Sequence, residues 1–225
     1  MKKEFVILLG IIILVVAAFV IGSNYYQKSI QQQEKSLNSG ANAIERADAS
    51  VLINPDSAAL GPANAPITIV EFYDPECESC KAMHPIVKKI LKDYDGKIRL
   101  VMRYMPLHSN SLLAAQVTEA AGEQGKYWQM QDLLFQRQQE WGEKQEAQTA
   151  LFEKYATELG IHVDQVRIAI AENRYAAKIE RDKRDGQSLG VRSTPTFFVN
   201  GRKLLRLGEQ ELKAVIDDEL VRQKK

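Results

Sequence analysis

The stretch Ile69–Pro85, IVEFYDPECESCKAMHP, changes character half-way along. Its first part completes Ile67–Tyr73, a run rich in β-branched and aromatic residues, which is strand composition. Asp74-Pro75 ends that run. From Cys77 onward, Cys80, Met83, Val87, Ile90, Leu91 and Tyr94 recur at three- and four-residue spacing, the period of an amphipathic helix. Asp95-Gly96 stops the helix and Ile98–Met105 reads as a second strand. Strand, helix and strand at this spacing predict a right-handed βαβ unit with parallel strands.

Cys77 and Cys80 are the two cysteines of this 225-residue chain. A disulfide between them closes almost no loop, and the stabilisation from a disulfide grows with loop length. The pair therefore reads as chemistry rather than as a staple. Its compartment is suggested by the N-terminus. Phe5–Ile21, FVILLGIIILVVAAFVI, carries no charge, and a helix of about 17–20 residues is just long enough to cross the hydrocarbon core. Lys2 and Lys3 precede it, which places the N-terminus in the cytoplasm and the rest outside. The run is longer than a signal h-region, and AFVIGS is a poor cleavage site. An uncleaved transmembrane anchor is the first reading and a removable signal the second. Either one exports the domain to the periplasmic or extracytoplasmic side of a bacterial inner membrane, where disulfides persist.

Working outward, residues 1–22 are the anchor or signal. Residues 23–60 read as a linker rich in Gln, Asn, Ser and Ala. Ile30, Leu37, Ile44 and Val51 recur every seven residues, so a solvated tether and an oligomerising stalk both stand. Residues 61–225 form the domain, with a helical insertion over about 109–187. TPTFFVNGRKLLRL is a strand, an Asn200-Gly201 turn and a second strand, and Glu209–Val221 is a final amphipathic helix. Trp128 and Trp141 sit among apolar residues as packing groups. The expected fold is α/β: a mixed sheet of at least four strands, helices on both faces, and an inserted helical subdomain. Formal net charge is +1 and no basic stripe is present, which leaves nucleic acid without an electrostatic footprint.

Cys77 opens a helix, where backbone N–H groups and the macrodipole favour the reactive thiolate. Cys80, one turn further in, reaches it and is less exposed. That suits two-step exchange, in which Cys77 forms a mixed disulfide and Cys80 resolves it. Half a zinc or copper site is the alternative, with His84 as the nearest third ligand. His84, His108 and His162 otherwise read as surface or packing residues. Asp74, Glu76 and Glu78 oppose a thiolate, so the Cys77 pKa is expected to be lowered by the helix terminus, but less than in the most oxidising enzymes.

These residues resemble the thioredoxin superfamily, and specifically its DsbA-like, membrane-anchored or exported branch. VEFYDPECESCKAMHP is similar to the family's active-site segment and GVRSTPTFFVNG to its cis-proline segment. The resemblance spans roughly residues 55–222. It implies that Glu71 is the buried acid that shuttles protons to Cys80. It also implies that Pro85 kinks the helix, that Pro195 is cis, and that Thr194 and Pro195 bind substrate backbone. The departures are the Glu78-Ser79 dipeptide and the anchor. The expected activity is thiol–disulfide exchange with exported protein thiols, as oxidase before reductase or isomerase. It needs no cofactor beyond the cysteine pair. Its partners are thiol-containing exported proteins, a quinone-linked oxidase or dithiol donor in the membrane, and the membrane itself through the N-terminal helix.

Overall fold

The computed structural model describes residues 22–24, 26–28 and 46–223. Residues 22–24 and 26–28 are helical and belong to a first unit, residues 1–45; residues 46–225 form a second. The apolar run Phe5–Ile21, and with it the expected anchor, lies outside the described residues. Among the described residues no helix is long and apolar enough to cross a membrane.

Within the second unit the chain forms α1 (Ala49–Leu52), β1 (Ala59–Leu60), β2 (Ile67–Tyr73), α2 (Glu78–Asp93) and β3 (Ile98–Tyr104). Six helices follow: α3 (Ser111–Glu123), α4 (Tyr127–Gln136), α5 (Gln138–Trp141), α6 (Thr149–Glu158), α7 (Val163–Ala171) and α8 (Ala176–Ser188). The chain ends with β4 (Thr196–Val199), β5 (Arg202–Lys203) and α9 (Glu209–Arg222). The sheet order is β1-β3-β2-β4-β5. β2 and β3 are parallel, from Ile67 beside Ile98 to Tyr73 beside Tyr104, and the other pairings are antiparallel.

β2 is buried on both faces, as a central strand flanked by helices must be. Ile67, Ile69 and Tyr73 join Cys80, Val87 and Ile90 of α2 in the larger core. Val70 and Phe72 point the other way, to Leu52, Val101, Met105 and Val191. On that second face Gly186 of α8 lies flat on Phe72; a Cβ there would sit 3.0 Å from two ring carbons. The β4–β5 turn at Asn200-Gly201 has positive φ at both residues, the geometry that favours Asn-Gly in two-residue hairpins. The Asn200 side chain also accepts from the Thr68 N–H (2.8 Å) and donates to the Pro66 carbonyl (3.1 Å), which ties the hairpin to the start of β2.

Packing starts earlier than the expected boundary at 61. Residues 46–60, assigned by sequence to the linker, lie on the domain. Arg46 donates to the Asn200 carbonyl and to Glu219, β1 pairs with β3, and Leu52 is buried. Buried Arg103 of β3 explains the attachment: it donates to the carbonyls of Val51 and Leu52, and to Asp182 and Asp185 of α8. Val51 therefore belongs to a one-turn helix bound to the domain, not to a stalk. A segment this polar reads as linker because its partners lie forty residues or more downstream.

Candidate active site

Cys77 is the N-cap of α2, with extended backbone and no side-chain capping bond. Its N–H donates to the Asp74 carbonyl (3.1 Å), closing the turn after β2. Its partly buried Sγ lies 3.3 Å from the carbonyl oxygen of Thr194, to which it donates when protonated. The Thr194–Pro195 bond is cis and leads straight into β4. Because β4 pairs with β2, with Thr196 opposite Phe72, the sheet itself brings this segment to the cysteine turn.

The two sulfurs differ sharply. The Cys77 thiol is pulled down to about 5. The largest cause is a hydrogen bond from the Cys80 thiol. The Thr194 side chain and the N–H groups of Cys80 and Ser79 add to it, against partial burial. The helix-terminus donors expected from sequence are thus present but secondary to the neighbouring thiol. Cys80 is fully buried and receives the Asp74 N–H at 3.5 Å. Burial first, then its bond to Cys77 and the charges of Glu71 and Cys77, push its pKa far up. At neutral pH the reduced pair therefore carries a thiolate on the accessible sulfur and a proton on the hidden one.

Glu71 lies on β2 between Met102 and Phe197, on the face that carries Cys80. It is 4% exposed, and its carboxyl is pushed up to about 8, mainly by burial and then by the Cys77 charge. The structure thus brings Glu71, Cys77, Cys80, Thr194 and Pro195 to one end of the sheet. Pro85 lies inside α2; it has no N–H to give the Lys81 carbonyl one turn back.

The acidic residues divide. Glu78 is exposed in the first turn of α2. Asp74 and Glu76 are buried and fully engaged. The Asp74 carboxylate accepts from the N–H groups of Glu76 (2.8 Å) and Leu107 (2.7 Å), from Nδ1 of His108 (2.7 Å) and from the Ser111 hydroxyl. Glu76 accepts from the N–H groups of Asn110 (2.7 Å) and Glu143 (2.8 Å). These two carboxylates fasten the cysteine turn to the loop before α3 and to the loop after α5. In the sequence these two acids read only as charges opposing the thiolate and His108 as a surface or packing residue, while Asn110 and Ser111 carry no site reading. The Asn110-Ser111 pair at a helix start is the one local signal; the contacts themselves span 34 residues or more.

His84, the nearest third ligand for a metal at the cysteines, is taken up elsewhere: Nε2 lies 2.6 Å from Asp132 of α4. Among the described residues no group of three metal-binding side chains forms. Trp141 is fully buried, donates Nε1–H to the Leu134 carbonyl and meets Phe152 edge-on, as packing.

A thioredoxin family model matches residues 53–218. The chain belongs to the thioredoxin superfamily. Among solved structures, this thioredoxin-superfamily chain is 28% identical to a thioredoxin-like oxidoreductase from Silicibacter pomeroyi, covering 78% of this chain and 99% of that one, with a TM-score of 0.66. It is 26% identical to oxidised BdbD from Bacillus subtilis, covering 73% and 92%, also with a TM-score of 0.66. Wolbachia pipientis alpha-DsbA1, 24% identical over 76% of this chain and 96% of its own, shares the fold at a TM-score of 0.67. Among curated proteins, it is 39% identical over 160 residues to Na(+)/H(+) antiporter NhaA 3 of Salinispora tropica, covering 69% of this chain and 24% of that protein. The chain thus spans about a quarter of the length of the curated relatives it matches.

Proposed function

We infer that this domain is a DsbA-like thiol–disulfide oxidoreductase that passes a Cys77–Cys80 disulfide to cysteine pairs of exported proteins. The observation that carries the reading is the asymmetry of the pair: an accessible sulfur with its pKa near 5 beside a buried one held protonated. Attack goes to the reachable sulfur, and the better leaving thiolate departs faster.

The steps balance as follows. A substrate thiolate attacks Sγ of Cys77 in the disulfide, the S–S bond breaks, and Cys80 leaves and takes a proton. A second substrate thiolate then attacks the substrate sulfur of the mixed disulfide, and Cys77 leaves as thiolate. The substrate loses two electrons and two protons, and both protons pass to solvent. Glu71, with a pKa near 8 and on the Cys80 face, supplies the proton that Cys80 takes and recovers it when the pair is reoxidised. The peptide edge at Thr194 and Pro195 receives the substrate backbone as an added strand beside Cys77. No cofactor is required beyond the cysteine pair.

Turnover requires an external oxidant, in this reading a quinone-linked membrane protein. The run Phe5–Ile21 holds the domain on the outer face of the bacterial inner membrane. The antiporter name of the curated relatives stays with those longer proteins. Running in reverse as a reductase or isomerase is the second reading, favoured by exposed Glu78 between the cysteines, which opposes the thiolate. The deciding measurement is equilibrium of the dithiol with glutathione, beside oxidation of a two-cysteine peptide. A potential near −120 mV supports the oxidase and one near −270 mV the reductase. No exchange with either reagent removes the reading. Labelling of Cys77 in intact cells by a membrane-impermeant maleimide tests the location.

A further inference from the structure

We propose that His108 supplies the positive charge that steadies the Cys77 thiolate, held in place for that task by Asp74. The proposal rests on the oxidoreductase reading of the cysteine pair.

His108 lies in the loop between β3 and α3, and its side chain is 47% exposed. Nδ1 is bound to the Asp74 carboxylate at 2.7 Å, and the His108 N–H donates to the Ser111 hydroxyl. Asp74 is the hub of the cysteine turn. Its carbonyl accepts the Cys77 N–H, its own N–H reaches Cys80 Sγ, and its carboxylate holds the imidazole. One residue thereby sets both the position of the nucleophile and that of the ring. An imidazole bound through Nδ1 to a carboxylate is a donor there, which favours the imidazolium when a second negative charge is near.

The surrounding charges agree. Burial pulls the His108 pKa down, but the hydrogen bond and charge of Asp74, then the charges of Cys77 and Glu76, overcome it and leave the group above its ordinary value. On the turn after β2 the groups are Asp74, Glu76 and Cys77, with Glu78 in the first turn of α2. The loop fastened to Asn110 adds Glu143, Lys144 and Glu146, and the segment before Thr194 adds Arg192. Acids predominate, so a protonated ring is favoured, and Asp74 cannot turn away because four donors fix it. The thiolate's closest stabilisers remain the Cys80 thiol, the Thr194 side chain and the helix N–H groups. His108 acts from further off as a positioning residue, so its effect is modest.

Coupling between two ionisable sites is reciprocal. The three histidines make the experiment clean. Imidazole titrations are followed by NMR in the oxidised protein and in the reduced one. The His108 pKa is expected to be higher in the reduced form, where the thiolate is present, with His84 and His162 as controls. Cys77→Ser, which carries neither the thiolate nor the disulfide, is expected to give the His108 value of the oxidised protein. In parallel, thiolate absorbance gives the Cys77 pKa in His108→Ala, His108→Gln and His108→Lys. Ala and Gln raise the Cys77 ionisation constant's pKa by an amount equivalent to about threefold, the scale of a partly exposed charge pair, and Lys restores it. The dithiol becomes correspondingly less oxidising against glutathione.

Equal His108 pKa values in the two redox states overturn the proposal. So does a His108→Lys variant that behaves like His108→Ala, which marks the ring as structural only. Neither titration involves a substrate. An enzyme without exchange activity but with coupled His108 and Cys77 therefore refutes the oxidoreductase reading alone.

Discussion

Cys77 and Thr194 stand 117 residues apart in the chain, yet the thiol of one lies 3.3 Å from the carbonyl oxygen of the other. The contact forms because β2 and β4 are hydrogen-bonded neighbours, and each carries its residue at the same end of the sheet. A reactive sulfur and a strand-like peptide edge are thus presented together. Exchange with an extended substrate needs both at once.

The division of labour between the sulfurs predicts a trap. Cys80→Ser leaves the accessible Cys77 unable to be resolved, so mixed disulfides with substrate accumulate, and mass spectrometry of non-reduced material reads them. Cys77→Ser yields none, because Cys80 is fully buried. Equal trapping by both variants contradicts the assignment of the attacking sulfur.

Glu71 has a folded pKa raised to about 8. A carboxyl whose pKa is raised on folding leaves stability intact below its ordinary value near 4.3 and erodes it as pH climbs through that value towards 8. Glu71→Gln removes this slope and stabilises the reduced protein at neutral pH, by up to about 3 kcal/mol if the carboxyl is as isolated as its burial indicates. Turnover in the same variant falls on the order of 10²-fold, because the Cys80 proton loses its carrier. Urea melts at several pH values, beside peptide oxidation rates, test the pair of outcomes. A gain in stability with unchanged rate assigns Glu71 no part in proton transfer.

Cys77 behaves in the opposite sense. Its folded pKa is depressed to about 5. The extra stability of the reduced fold is complete above the ordinary thiol value near 8.5 and disappears as pH falls through 5. The oxidised protein lacks this group and serves as control. The stability difference between reduced and oxidised forms should shrink from pH 8 to pH 4. The change is about 1 kcal/mol after allowance for screening at a partly exposed sulfur. A pH-independent difference sinks the assignment.

Arg103 is fully buried against Asp182, and it also carries the carbonyls at the end of α1. Removing one partner of a buried ion pair strands the other and costs about 3–5 kcal/mol. Arg103→Ala should lower the denaturation midpoint and, before global unfolding, release residues 46–57 to limited proteolysis. Cleavage there in the native protein at an unchanged rate removes Arg103 as the clasp.

Local pattern alone carried much of this architecture. The β-branched and aromatic run Ile67–Tyr73, the helical spacing after Cys77 and the Asn200-Gly201 turn are each decided within a few residues, so strand, helix and hairpin were legible before any contact was known. The two-residue gap between Cys77 and Cys80 likewise places both sulfurs on one helical turn, whatever the rest of the chain does. What sequence could not show depends on partners brought together by the sheet. Asp74 and Glu76 look like free charges until the loops at 107–111 and 142–146 supply their donors. His108 looks like an ordinary loop residue until Asp74 holds it. Residues 46–60 look like linker until Arg103 and Asn200 bind them. Backbone preference is a short-range property written in neighbouring residues. Burial and charge pairing arise between segments distant in the chain, and only the folded sheet determines which of them meet.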